Sequence, residues 1–131
     1  MFFYILLAPL GCGKPPPLAD GDTTETLRFQ YGHGERVEYT CQNLYTMEGE
    51  QYKTCFNGEW VGQMRCLKPC TVDREAMITH NIQFLHGTID KLYSAHHDVI
   101  YFRCKGGRTH VGTVGMRQMC IDGVMLLPTC Q

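Results

Sequence analysis

The chain has 131 residues, and its 12 lysines and arginines almost balance its 13 aspartates and glutamates, giving a net charge of -1. This balance, with no basic stripe along the chain, argues against nucleic-acid binding. Eight cysteines in so short a chain indicate small disulfide-bonded modules that fold in an oxidising compartment. We therefore expect a secreted, extracellular protein.

The first ten residues, Met1–Leu10, are apolar and uncharged, and Gly11 precedes the first cysteine. A short secretory signal over residues 1–11, cut near Gly11, fits this composition, although the usual basic n-region is absent. An incomplete or alternatively spliced start fits equally well. The segment is too short to span a bilayer, and no other stretch resembles a membrane anchor.

In the first half of the chain, the sequence predicts short strands and turns. Three consecutive prolines within Lys14–Pro17 predict an extended segment, because proline cannot donate to a β-ladder. Arg36–Gln42 alternates, which places Val37 and Tyr39 on one strand face with Cys41. Asn57-Gly58 is a hairpin signal, because both residues tolerate positive φ.

The second half repeats these signals. Asp98–Cys104 alternates, with Ile100, Phe102 and Cys104 on one face and Val99, Tyr101 and Arg103 on the other. Asp122-Gly123 is a second hairpin signal at the position equivalent to Asn57-Gly58. Only Glu75–His80 has the composition of a helical turn.

The cysteines themselves form two quartets in which one long interval is followed by two short ones. A repeat of about sixty residues predicts two tandem modules that are too small to be stable without crosslinks. Four cysteines allow three pairings, so spacing alone leaves the pairing open. Zinc sites place cysteines in closer pairs than this chain does, which favours disulfides over metal. The quartets are Cys12, Cys41, Cys55, Cys66 and Cys70, Cys104, Cys120, Cys130.

At this point the residues resemble the complement control protein, or sushi, family. The resemblance covers about residues 12–130 and rests on these motifs: Cys12-Gly13, Pro15–Pro17, Asp20-Gly21-Asp22, Val37–Cys41, Asn57–Trp60 and Cys66. It implies an all-β fold of two tandem small disulfide-rich sushi modules, elongated, with little or no helix. The modules would be 12–66 and 70–130, joined by a linker at 67–69. The family pairing implies Cys12–Cys55, Cys41–Cys66, Cys70–Cys120 and Cys104–Cys130.

The second module is similar to the terminal module of complement factor H and the factor H-related proteins, and the first to their penultimate module. The motifs of the second module are Leu67–Cys70, Asn81-Ile82, Lys91–Ser94 and Pro128–Cys130, with Met125 where Trp60 stands in the first; those of the first are Cys41–Tyr45 and Glu48-Gly49. Sushi modules of the coagulation factor thirteen B subunit end in a comparable tail, and that carrier subunit is the alternative.

The resemblance implies binding without catalysis or cofactor, directed at fragments of complement component 3 and at sialic acid or heparan sulfate on host surfaces. Such a chain would modulate or compete in alternative-pathway regulation. The implied complement-fragment residues are Asp20, Asp22, Gln42 and Tyr45, and the implied glycan residues are Lys91, Tyr93, Arg103, Lys105 and Arg117. Trp60 is more typical of a core position.

The glycan positions depart from the family pattern. An arginine and a tryptophan of the family are replaced by Leu85 and His86, and the second module has six lysines and arginines against five acidic residues. Because polyanion binding draws on clustered positive charge, we expect glycan binding to be weak. The first module has five basic and eight acidic residues, which suits a partner with a basic patch but also an ordinary solvated surface.

The sequence gives little support for a zinc site or for a catalytic serine. Five of the six histidines fall in the second module, but no HxxxH spacing indicates a preformed zinc site, so we expect surface histidines. Ser94 is the chain's only serine and lies near His96 and His97 without a nucleophile-elbow motif. We therefore predict neither a catalytic site nor a bound metal.

Overall fold

The computed structural model describes residues 8–86 and 92–131. The chain divides into two compact units; the main segment of the first ends at Cys66, and that of the second begins at Leu67. Apart from one short helix, the regular secondary structure among the described residues consists of short strands. This confirms the predicted all-β class.

The first unit is built on a four-stranded antiparallel sheet with the strand order β1-β2-β4-β5, and β3 pairs with β6 beside it. In β2, Val37 and Tyr39 are buried, whereas Thr40, which lies between Tyr39 and Cys41, is exposed. The predicted alternation is therefore present, and its apolar face forms part of the core. The strands are β1 (Gly21–Thr23), β2 (Arg36–Cys41), β3 (Thr46–Gly49), β4 (Tyr52–Phe56), β5 (Glu59–Val61) and β6 (Met64–Leu67).

The second unit has three small sheets, in the orders β12-β10-β8, β7-β9 and β11-β13. Phe102 on β10 is buried and stacks on Phe84 of β8 with ring centroids 5.7 Å apart. The elements are β7 (Cys70–Val72), α1 (Arg74–His80), β8 (Ile82–Phe84), β9 (Leu92–Ser94), β10 (Val99–Cys104), β11 (His110–Val111), β12 (Arg117–Met119) and β13 (Thr129–Cys130).

Helix α1 begins one residue before the helical turn that the sequence indicates. The Asp73 side chain caps it by accepting a hydrogen bond from the Ala76 N–H at 2.9 Å. Asn81, at φ 55°, ends it in the left-handed region. Met77 faces the core, so burial of one apolar side chain holds this single short helix in place.

Both predicted hairpin turns are confirmed. Asn57 and Gly58 have φ values of 46° and 90°, and Phe56 pairs with Glu59 across the turn. Asp122 and Gly123 have φ values of 46° and 82°. Positive φ at both central residues is the type I′ geometry that suits the twist of antiparallel strands.

Four disulfides join all eight cysteines, two in each unit: Cys12–Cys55, Cys41–Cys66, Cys70–Cys120 and Cys104–Cys130. This is the pairing that the family resemblance implied. Each closes a loop of 25 to 50 residues, which in the chain-entropy model stabilises the fold by about 3.5–4 kcal/mol. The disulfides thus add stability that hydrophobic cores of this size do not provide alone.

Candidate binding surfaces

One end of the β1–β2 ladder brings together three of the residues predicted to bind a complement fragment. Asp20 adopts a left-handed conformation with φ 61°, and its carbonyl accepts a hydrogen bond from the Gln42 N–H at 2.8 Å. Asp22 follows on β1, where it pairs with Thr40 and is exposed. We call Asp20, Asp22 and Gln42 the β1 corner.

Gly21 allows this close approach of the two strands. A Cβ atom at Gly21 would lie 2.6 Å from the Thr40 carbonyl oxygen, so any other residue would push β1 away from β2. The turn that precedes it is closed by the Gly21 N–H, which donates to the Leu18 carbonyl at 3.2 Å. The Asp-Gly-Asp motif therefore fixes the positions of both aspartates by backbone geometry.

Asp22 also lines an open groove of about 520 Å³ with Lys14 and the residues Thr23–Phe29. Arg28 in this groove forms an ion pair with Glu35 and lies 4.5 Å above the Tyr31 ring, so its charge is already engaged. The Asp22 carboxylate accepts only the N–H of its neighbour Thr23 among the described hydrogen bonds. The β1 corner thus presents an accessible negative charge.

Tyr45 and Trp60, the aromatic residues considered in the sequence of the first module, are not part of the β1 corner. Tyr45 is half-buried and directly precedes β3, and no described hydrogen bond joins it to the β1 corner. Trp60 packs on the core of the first unit, donates its indole N–H to the Gly13 carbonyl at 3.1 Å, and meets Tyr31 edge to face at 5.0 Å. The expectation that Trp60 is a core residue is confirmed.

In the second unit, Arg103 and Arg117 lie on the outer face of the β12-β10-β8 sheet. Arg117 is the direct cross-strand partner of Tyr101, and Arg103 lies two residues farther along β10 on the same face. All three side chains are exposed. We call this set the arginine–tyrosine face. Tyr101 was not among the predicted glycan residues, although the alternation of Asp98–Cys104 already placed it beside Arg103.

The remaining glycan candidates do not share this face. Tyr93 lies on β9, where it pairs with Thr71 of β7 in a separate sheet. Lys105 follows the end of β10 and is half-buried. Lys91 lies outside the described residues. The structure therefore brings together two of the five predicted glycan residues and adds Tyr101 to them.

Ser94 is buried, whereas the neighbouring His96 is half-buried and His97 is exposed. Among residues 8–86 and 92–131, no three His, Cys, Asp or Glu side chains are arranged to hold a metal ion. His96 and His97 lie in a turn, with their ring centroids 3.7 Å apart and their ring planes tilted by 33°. Ser94 is only 2% exposed, and its hydroxyl has no hydrogen-bond partner among the described atoms. A nucleophile has to reach its substrate, which a buried hydroxyl does not.

Comparison with known proteins decides the family. The sushi repeat, or SCR repeat, family model matches residues 12–66. Residues 12–66 therefore belong to the sushi repeat family. Its four disulfides and short strands agree with that assignment, whereas the treatment of residues 70–130 as a second module stays a prediction.

The sushi chain is similar to complement proteins over most of its length. It is 41% identical to human complement factor H-related protein 2 over 120 residues, which cover 92% of this chain and 44% of the relative. It is 38% identical to bovine complement factor H, over 91% of this chain and 10% of the relative. It is 32% identical to the mouse coagulation factor XIII B chain, over 91% of this chain and 18% of the relative. The sushi chain thus spans less than half the length of these relatives.

Within the described part of the sushi chain, no helix is both long and apolar enough to cross a membrane.

Proposed function

We propose that this sushi chain is a secreted, non-enzymatic binding module that recognises surface-deposited fragments of complement component 3, and so modulates or competes in alternative-pathway regulation. The observation that carries the proposal is the β1 corner, where Asp20, Asp22 and Gln42 lie together and the Asp22 carboxylate is exposed. Secretion is supported by the four disulfides, which persist in oxidising compartments.

The chemistry of the β1 corner suits a basic or amide-rich protein surface. An exposed carboxylate fixed on a strand can accept charge-assisted hydrogen bonds from lysine or arginine, which are stronger than bonds between neutral groups. Gln42 adds one acceptor and two donors beside it. The residues predicted from the family resemblance are therefore chemically able to form a polar contact, and the surrounding acidic residues favour a basic partner.

The test is binding of the disulfide-intact chain to the immobilised thioester-domain fragment of component 3 at physiological salt. We expect saturable binding that weakens by about ten- to a hundredfold in Asp22→Asn, the range for losing one hydrogen bond to a charged group. Glu59→Gln is the matched control, because Glu59 is an exposed acid on β5, at the opposite edge of the same sheet. Equal weakening in both variants would point to net charge and refute a specific contact at the β1 corner.

Weak binding of acidic glycans is a second activity, supported by a separate feature of the structure. On the arginine–tyrosine face, Arg117 lies across the ladder from the exposed Tyr101, and Arg103 lies two residues along β10, which suits a sugar that carries a carboxylate or sulfate. Retention on a heparin column should fall in Arg117→Gln and in Tyr101→Ala. Arg74→Gln removes the same charge from exposed helix α1 and should leave more of the retention intact. A uniform fall in all three variants would mean non-specific attraction.

The assembly alternative is favoured by the likeness to the coagulation factor XIII B chain. In that reading the partner is another plasma protein chain, and the chain acts as a structural or carrier module. A folded chain that fails to bind the complement fragment but binds a transglutaminase subunit would select this alternative.

A further inference from the structure

A hydrogen-bonded unit at the Asn57-Gly58 turn involves a histidine as acceptor. The Asn57 N–H donates to the Nδ1 atom of His33 at 3.0 Å. The Asn57 side-chain oxygen accepts from the Leu10 N–H at 3.1 Å, and the Gly58 N–H donates to the Leu10 carbonyl at 3.0 Å. The histidine and the turn thereby fix the chain two residues before Cys12.

The second unit contains the equivalents of two of these three hydrogen bonds. The Asp122 N–H donates to Nδ1 of His96 at 3.0 Å, and the Asp122 side chain accepts from the Lys68 N–H at 2.9 Å. Lys68 stands two residues before Cys70, as Leu10 stands two residues before Cys12. We call each set of contacts a turn lock. The turn lock therefore recurs at equivalent positions of the two units.

We propose that the two turn locks are acid-sensitive, and that His33 and His96 release their turns when the imidazoles are protonated. A backbone N–H can only donate, so Nδ1 must be unprotonated to accept it, and the ring proton sits on Nε2. In an imidazolium both nitrogens carry protons, and the acceptor is gone. Imidazole is the side chain that changes its protonation state most readily near physiological pH, so mild acidification is the perturbation that tests the locks. This inference concerns the fold and does not depend on the proposed function.

The groups around His96 come from its own turn and from the Asp122-Gly123 turn. The His97 ring centroid lies 3.7 Å from that of His96, and the carboxylates of Asp98 and Asp122 belong to these two turns. Asp98 already accepts the Ala95 N–H at 3.1 Å, and Asp122 the Lys68 N–H.

The surroundings of His33 hold fewer charges. The Phe56 ring lies 5.2 Å away, the turn residue is the neutral Asn57, and Glu35 is the acid on its own loop. In both units the backbone N–H donates to Nδ1, and a protonated Nδ1 cannot accept that bond, whatever charges lie nearby.

The direct test is NMR of the full, uniformly ¹⁵N-labelled chain. An N–H···N hydrogen bond gives a scalar coupling between the two nitrogens, here the backbone nitrogen of Asp122 and Nδ1 of His96. We expect the coupling while the ring shifts show a neutral imidazole, and its loss on acidification once they show an imidazolium. A coupling that persists when the ring shifts show an imidazolium, or that is absent at neutral pH, would overturn the proposal.

Amide exchange supplies the second measurement and its variants. Corrected for the intrinsic rate, exchange of the Asp122 amide should rise about three- to tenfold on acidification, the range of one net hydrogen bond. His96→Asn keeps an acceptor at the δ position and does not titrate. In this variant, the corrected exchange rate of the Asp122 amide should therefore not change with pH. His110→Asn is the control, because His110 Nε2 contacts the Val114 carbonyl at 2.7 Å and must donate there. The same pH response in His96→Asn as in wild type would refute the mechanism.

Discussion

Tyr39→Phe tests how the first unit is held together. Tyr39 is 1% exposed, and its hydroxyl donates to the Pro16 carbonyl at 2.6 Å, which ties the proline segment to β2. The substitution keeps the buried ring and removes only the donor. Since Pro16 is half-buried, we expect the unfolding free energy to fall by about 1–2 kcal/mol, the lower part of the range for a buried acceptor left unpaired.

The assay is urea unfolding followed by tryptophan fluorescence. Trp60 is the chain's only tryptophan and packs on the core that contains Tyr39, so it reports on the first unit alone. With a urea slope of about 1–2 kcal/mol per molar, the midpoint should move down by roughly 1 M. Tyr45→Phe is the control, because no hydrogen bond of the Tyr45 hydroxyl occurs among the described residues. An unchanged midpoint in Tyr39→Phe would refute the structural role of this bond.

The same variant has a pH signature. Burial, with a contribution from Tyr31, raises the pKa of Tyr39 above its ordinary value of 10.0. The folded state therefore keeps the proton where the unfolded state loses it, and this contribution to stability disappears as pH rises above about 10. Phenylalanine does not titrate. The difference in unfolding free energy between wild type and Tyr39→Phe should therefore become smaller from pH 9 to about pH 11. Urea unfolding followed by circular dichroism at each pH measures it. A constant difference would contradict the assigned cause.

Three further predictions concern single side chains. Ser94→Ala should leave the unfolding free energy of the second unit unchanged or raise it by up to about 1 kcal/mol, because the buried hydroxyl has no partner among the described atoms; a clear loss in urea unfolding followed by circular dichroism would contradict this. Glu38→Gln should lower the pKa of Tyr52, because the hydrogen bond from the Tyr52 hydroxyl to the Glu38 carboxylate is the main cause of the raised pKa. ¹³C NMR of the Tyr52 phenol measures this pKa, and an unaltered titration would argue against that bond. Asp73→Ala should cost about 0.5–2 kcal/mol by removing the cap of helix α1, whereas Asp73→Asn should retain most of it; equal losses in the two variants would exclude capping.

The elements predicted best are those set by local pattern. In Arg36–Gln42 and Asp98–Cys104, strict alternation already separates a core face from a solvent face, and the structure keeps both. Asn57-Gly58 and Asp122-Gly123 are equally local, because only the φ preference of the two residues has to be satisfied.

The features that sequence reasoning did not reach depend on contacts between distant segments. Tyr101 joins Arg117 only through the register of β10 and β12, and that register is set by the whole sheet. The turn locks likewise need His96, Asp122 and Lys68 to meet from three separate segments, 54 residues apart at the extremes. The cap at Asp73, by contrast, has a readable signal, an aspartate just before the helical run.

The central claim is tested most directly by offering one preparation of the folded, disulfide-intact chain two immobilised partners at physiological salt. These are the thioester-domain fragment of complement component 3 and the catalytic subunit of the plasma transglutaminase zymogen. The account predicts saturable binding to the complement fragment that Asp22→Asn weakens and Glu59→Gln does not, with no binding to the transglutaminase subunit. Binding to the transglutaminase subunit alone, or to neither partner, would contradict it.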